Sequence, residues 1–148
     1  MNLSMPQPVH SYAYRVLYGD TDAAGVVYYA NYLRYFERGR TEYMRDIVLM
    51  TYREVEGLGL ILPVIECYSR YKAPAIYDDL LTIETSLAEV KNVSCRFNYR
   101  IYRDEIGAAR TLLAKGYTVH ASINRENRLT KLPLQLLEKL DKILKISP

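Results

Sequence analysis

The stretch Tyr18-Gly19-Asp20-Thr21-Asp22-Ala23-Ala24-Gly25-Val26-Val27-Tyr28-Tyr29-Ala30-Asn31-Tyr32 decides how the rest of this chain is read. Residues 20–25 combine two aspartates, a threonine and a glycine, a composition that turns the backbone. Ahead of them, residues 11–19 read as a first strand. Beyond them, from about Asn31, the apolar period becomes helical. Tyr32, Phe36, Tyr43 and Ile47 form one stripe with Leu33, Gly39 and Met44 beside it, while Glu37, Arg38, Arg45 and Asp46 fall mostly off it. Asn31 is a candidate N-cap. Gly39 costs a helix about 1 kcal/mol relative to alanine, and on the buried side it would let the helix lie close against a sheet.

Downstream of Gly57 and Gly59 the period falls to two. Leu81, Ile83, Thr85 and Leu87 alternate with polar neighbours, as do Cys95, Phe97, Tyr99 and Ile101, and Tyr117, Val119, Ala121 and Ile123. Such alternation marks antiparallel strands with one buried face, and the named sets are the expected inward residues. Residues 104–107, Asp-Glu-Ile-Gly, read as a hairpin turn, and Pro133 opens a last helix with Leu136, Leu140, Ile143 and Leu144 on its apolar side. The fold class is α+β, and the simplest packing is an antiparallel sheet wrapped around one long central helix. Residues 1–10 read as a flexible N-terminal tail and residues 11–148 as a single domain.

The 49% hydrophobic and 25% charged fractions of the 148 residues are those of one ordinary globular domain. No apolar run reaches the roughly 18 to 20 residues of a membrane span. The first eight residues have neither the basic start nor the apolar stretch of a signal peptide, so cytoplasmic residence is expected. Cys67 and Cys95 suit neither a disulfide framework nor a zinc site, and both read as buried free thiols. No metal and no cofactor is expected: Asp20 and Asp22 lack a third ligand. The net charge of +3 suits a small anionic ligand rather than nucleic acid, which would call for a basic stripe. Fifteen tyrosines against two phenylalanines exceed what one small core uses while satisfying each hydroxyl, and point to a homo-oligomer.

Chemically, the opening stretch places a carboxylate in a tight turn just before a long helix. The exposed N–H groups and positive dipole end of that helix stabilise an anion. A carboxylate beside an oxyanion site is the minimum equipment for acyl transfer. Asp20 and Asp22 read equally well as turn and cap residues on composition alone.

The pattern Asp22, Gly25, Val26, Val27, Tyr28, Tyr29, Asn31, Tyr32 resembles the signature of the 4-hydroxybenzoyl-CoA thioesterase family, which includes acyl-CoA thioesterases associated with the Tol–Pal system. The resemblance continues through Phe36-Glu37-Arg38, Arg40-Thr41-Glu42, Tyr71-Lys72-Ala73-Pro74-Ala75 and Tyr77-Asp78-Asp79-Leu80-Leu81. It implies a hotdog fold, dimers with active sites at the interface, and assembly of dimers into homotetramers. It implies thioester hydrolysis, with Asp22 as nucleophile or as base for water, and the backbone N–H of Tyr29 polarising the thioester carbonyl. Gly25, Val27 and Asn31 fall in the substrate-binding part of the signature. Lys91, Ser94 and Arg128 match positions that contact CoA, although only Lys91 remains of a basic run there. Tyrosine at 29 is like the hydroxybenzoyl enzyme, whereas the Tol–Pal-associated group usually has histidine, so the acyl group stays open between small aliphatic and aromatic. A binding protein that holds an acyl thioester without turnover is the rival reading. A nucleic-acid-binding sheet would need stacked aromatics on its open face.

Overall fold

A computed structural model describes residues 3–146. β1 (His10–Arg15) leads through a short 3₁₀ turn (Tyr18–Asp20) and the acidic loop into α1 (Asn31–Tyr43). The helix widens into a π turn over Met44–Val48 and stops at Leu49, which is left-handed at φ 62°. After α2 (Tyr52–Gly57) come β2 (Leu60–Ile61), β3 (Val64–Tyr71), β4 (Leu80–Val90), β5 (Ser94–Arg103), β6 (Thr111–Ala121), β7 (Ile123–Asn124) and α3 (Leu134–Ile146). Five strands form one antiparallel sheet in the order β1-β4-β5-β6-β3, and β2 pairs with β7 in a small ribbon.

The central helix buries Tyr32, Tyr35, Phe36, Gly39 and Tyr43 against β4, β1 and β5. Gly39 is where the helix comes closest. A methyl group there would overlap Thr85 Oγ1 and come within 2.8 Å of Ile83 Cγ2. Gly116 plays the matching part on β6, where the Phe36 ring lies 3.0 Å from any added Cβ. Phe36 stacks flat on Tyr99, 4.3 Å between centroids, and is fully buried. Burying such a ring stabilises the fold by about 1.5–3 kcal/mol. The last helix lies against β4 and the π turn through Leu136, Leu140 and Ile143.

Four expectations need correcting. On β6 the period of two is right but its phase is inverted. The register pairs Cys95 with His120, Phe97 with Thr118 and Tyr99 with Gly116, so the core-facing set is Gly116, Thr118 and His120. Tyr117 instead shares the outer face with Arg96, whose guanidinium sits 4.0 Å from its ring centroid. The polar residues are tolerated inside because they bond one another in series. Leu62 O, a pure acceptor, lies 2.9 Å from His120 Nδ1, which therefore carries the proton. Nε2 accepts from Thr118 Oγ1 at 2.8 Å, and Thr118 accepts from Tyr99 at 2.6 Å.

Cys67 is exposed because β3 is an edge strand, whereas Cys95 is buried and its thiol is pushed up to about 12 by burial. Asn31 is not the N-cap. Ala30 holds that place without a side-chain bond, and Asn31 Nδ2 donates to Asp20 O at 2.8 Å. The stretch read as a tail has Met1 and Asn2 outside the described residues. Its His10 already belongs to β1, and the carbonyls of Ser4 and Pro6 accept from Asn98 and Ser86 on the outer sheet face. Buried polar side chains on that face need partners, and the preceding segment supplies them.

Candidate active site

Asp22 stands on an exposed β-turn. Its carbonyl accepts from Gly25 N at 3.0 Å, its N–H donates to Val26 O at 2.8 Å, and its Oδ1 accepts from Ala24 N at 2.9 Å. Gly25 has φ +83°, a left-handed conformation that side chains disfavour, which explains glycine in the turn. The chain then doubles back: Thr21 bridges Val27, and Val27 N donates to Ala75 O at 2.8 Å. Val27 is consequently buried, at 5% exposure, behind the turn.

The same return carries the chain into α1. Tyr28 N donates to Asp20 O at 2.9 Å, and Asn31 N to Tyr28 O at 2.9 Å. Between them, the N–H groups of Tyr29 and Ala30 meet no acceptor among the described residues. They are the free donors at the positive end of α1. Asp22 and the Tyr29 N–H are therefore carried by the two arms of one folded loop.

Beside this loop lies a cleft of about 370 Å³, walled by Val26, Val27, Tyr29, Tyr32, Tyr71 and Pro74. Tyr71 packs edge-on to Tyr29 and Tyr32, at 6.3 and 5.1 Å, and its hydroxyl donates to Tyr29 O at 3.0 Å. Burial pushes the Tyr32 hydroxyl up to about 12, so it is a neutral donor at working pH. The far wall is anchored by Arg103, which donates to Pro74 O and to Glu105 Oε1, each at 2.7 Å. The matched segment around Tyr71–Pro74 was the sequence signal for this wall, though not for its aromatic geometry.

Asp20 differs from Asp22 in every respect. It is 9% exposed, and its Oδ2 accepts from Tyr14 Oη at 2.7 Å, Leu17 N at 2.9 Å and Tyr35 Oη at 3.0 Å. Tyr35 lay off the predicted apolar stripe. It is buried because this carboxylate satisfies its hydroxyl, a reason that periodicity does not carry.

The remaining site candidates lie elsewhere. Lys91 sits in the β4–β5 turn, exposed, with Nζ 3.2 Å from Glu89 Oε1, and its N–H donates to Ser94 O at 2.8 Å. Arg128 is exposed on the loop after β7, where its N–H donates to Asn124 Oδ1 at 3.0 Å. Leu132 N bonds Asn92 O at 2.9 Å, joining that loop to the Lys91 turn. β4 enters beside Asp79, at the Asp22 end, and leaves at Lys91. At a rise of about 3.4 Å per residue, β4 by itself spans roughly 35 Å between these two ends.

Known proteins share this architecture. A model of the thioesterase-like superfamily matches residues 16–140. A putative esterase of Aquifex aeolicus is 31% identical over 87% of this chain and 95% of its own length. A protein of Haemophilus influenzae named acyl-CoA thioesterase YbgC is 42% identical over 65% of this chain and 71% of its own. The structure of 4-hydroxybenzoyl-CoA thioesterase from Pseudomonas sp. strain CBS-3 superposes with a TM-score of 0.78 at 26% identity, covering 88% of this chain and 98% of that one. The five-stranded sheet around α1 is the hotdog fold of these proteins, and the chain belongs to the thioesterase-like superfamily.

Proposed function

We propose that this protein hydrolyses the thioester of a small acyl-CoA, with Asp22 as nucleophile or general base and the Tyr29 N–H as oxyanion donor. The observation that carries this reading is the folded loop itself. An exposed carboxylate and a helix N-terminal N–H that meets no acceptor among the described residues stand on its two arms, and Tyr29 lines the adjoining cleft, which supports the reading. A thioester carbonyl in that cleft would receive the N–H on its oxygen while Asp22 works on its carbon. Asp22 either takes a proton from the water that adds to the carbonyl or adds itself, giving an anhydride that water opens. Both routes consume one water and release the carboxylic acid and the CoA thiol. The tyrosine walls favour a flat, aromatic acyl group as the second substrate reading.

One protomer does not bring the CoA-contact candidates to Asp22, and β3 supports a remedy. Its outer edge is unpaired among the described residues, and Val64, Ile65, Glu66 and Cys67 are exposed along it. β3 runs from the Lys91 end, where Val64 faces His120, to the Asp22 end, where Tyr71 faces Ala114. Antiparallel pairing of β3 with its two-fold copy would therefore lay the Lys91 and Arg128 end of one protomer beside the Asp22 cleft of the other. The active unit is a homodimer, with further assembly to a homotetramer, working in the cytoplasm. No helix among the described residues is long and apolar enough to cross a membrane.

The test is thiol release from a panel of aliphatic and aromatic acyl-CoAs, by the wild type and by Asp22→Asn. The wild type should turn over at least one class. Asp22→Asn should lose on the order of 10² to 10⁴-fold in kcat with substrate binding largely kept. An Asp22→Asn enzyme with wild-type kcat would overturn the mechanism, and a wild type that binds acyl-CoA without releasing thiol would leave a binding protein.

A further inference from the structure

The geometry points to Asp20 as the positioning residue of this site, acting with Tyr14 and Tyr35 to fix the backbone that presents Asp22 and the Tyr29 N–H. The inference rests on the functional reading of Asp22 and Tyr29 given above and adds a mechanism for holding them in register.

Asp20 accepts five hydrogen bonds. Three reach Oδ2: Tyr14 Oη from β1, Tyr35 Oη from α1 and Leu17 N from the approach to the turn. Two reach its main-chain oxygen: Tyr28 N at 2.9 Å and Asn31 Nδ2 at 2.8 Å. The side chain thus ties strand to helix, and the carbonyl ties both to the residues on either side of Tyr29–Ala30. Asp22 is two residues further on, bonded to Val26 of the returning arm. Asp20 ties the two arms from the core side, alongside the Asp22–Val26 bond and the Thr21–Val27 bridge.

The chemistry of the cluster suits that task. A buried carboxylate is costly unless its lone pairs are filled, and charge-assisted bonds are roughly twice as strong as neutral ones. Burial, with Asp20 second, pushes the Tyr14 hydroxyl up to about 12, and the same two causes raise Tyr35 further. Both hydroxyls therefore stay protonated, as donors, near neutral pH. Here the same residue's carbonyl also fixes the peptide units that flank the free N–H.

Placement of reacting groups is steep in its effect on rate: a 1 Å error costs on the order of 10²-fold. Asp20→Asn keeps size and an acceptor oxygen but removes the charge. Tyr14→Phe and Tyr35→Phe each remove one donor and keep the ring. All three variants are assayed with the best acyl-CoA well below their melting temperatures, with kcat and KM measured separately. The expected result is kcat lower by about 10 to 100-fold in Asp20→Asn and about 3 to 10-fold in each Phe variant, with KM within about 3-fold. Adding Asp20→Asn to Asp22→Asn should cost little more than Asp22→Asn alone, because groups that act as a unit are not additive. Wild-type kcat in the variants, with only the melting temperature lowered, would make Asp20 a stability brace and overturn the inference. The two Phe variants decide the matter should Asp20→Asn fail to fold. Full activity in Asp22→Asn would instead strike the reading of the site, a distinguishable failure.

Discussion

His120 is neutral inside the core because taking an imidazolium out of water costs more than its hydrogen bonds return. Burial lowers its pKa to about 4, the Leu62 bond partly opposing, from an ordinary value near 6.5. The unfolded chain therefore binds this proton more readily than the folded one does. Stability from this residue is complete above pH 6.5, declines as pH falls from there, and is spent at about 4. Within that window the slope approaches 1.36 kcal/mol per pH unit. Denaturant unfolding of the wild type and His120→Gln between pH 7 and 4 should show the wild type losing stability with the steeper slope. Parallel slopes would mean that His120 binds its proton equally well in the folded and unfolded chain. Alternation with Tyr117 and Val119 puts His120 on the polar strand face, and its interior placement depends on Thr118 and on Tyr99 across β5 and β6.

At the scale of elements, the outer face of the sheet carries a strained row. The registers set Glu84 beside Arg100, Arg100 beside Lys115 and Lys115 beside Arg70 on four successive strands. Glu84 is engaged by Arg110 at 3.1 Å, no ion pair reaches Arg70, Arg100 or Lys115 among the described residues, and Arg100 Nε is buried without a hydrogen-bond partner. Like charges directly opposite one another destabilise a sheet. Lys115→Glu should therefore raise stability by about 0.2–1 kcal/mol, read as a higher denaturant midpoint at unchanged m-value. A lower midpoint would show that the three cations are compensated in solution. Strand sequence could not reveal this row, because alternation assigns residues to faces but says nothing of which residue lies opposite which.

For the whole molecule, the decisive expectation is that the working site is shared. Asp22 and the pair Lys91 and Arg128 lie at opposite ends of β4, yet the two-fold pairing along β3 would join them between protomers. Two inactive or weakened variants should then rescue each other. Mixed Asp22→Asn and Lys91→Ala/Arg128→Ala protomers would form heterodimers containing one intact site and one doubly damaged site. The mixture should regain turnover at low substrate, where the Lys91→Ala/Arg128→Ala enzyme alone shows a raised KM, because remote phosphate contacts supply largely uniform binding. No recovery after subunit exchange would place all these groups within one protomer's site or remove Lys91 and Arg128 from it. Ile65→Lys, on the exposed edge, should lower dimer affinity and activity together in light scattering and assay.

Apart from α2 and the β2–β7 ribbon, which periodicity did not reveal, the sequence by itself determined the order of elements, the central helix, the close approach at Gly39 and the acidic turn before the helix. Each is a local property: a period of 3.6 or 2, a missing Cβ, a cluster of turn residues within a few positions. Tertiary structure alone decided the phase of β6, the burial of Tyr35, the exposure of Cys67 and the donor role of Asn31. In each of these a polar group is satisfied, or an edge is left open, by residues far away in the chain. It also gave the two aspartates different surroundings, which composition alone does not distinguish, although the family resemblance had already singled out Asp22. Asp20 turns inward because three donors from β1, the following loop and α1 meet its oxygen, and Asp22 is left exposed on the turn, where its Oδ1 accepts only from Ala24 N among the described residues.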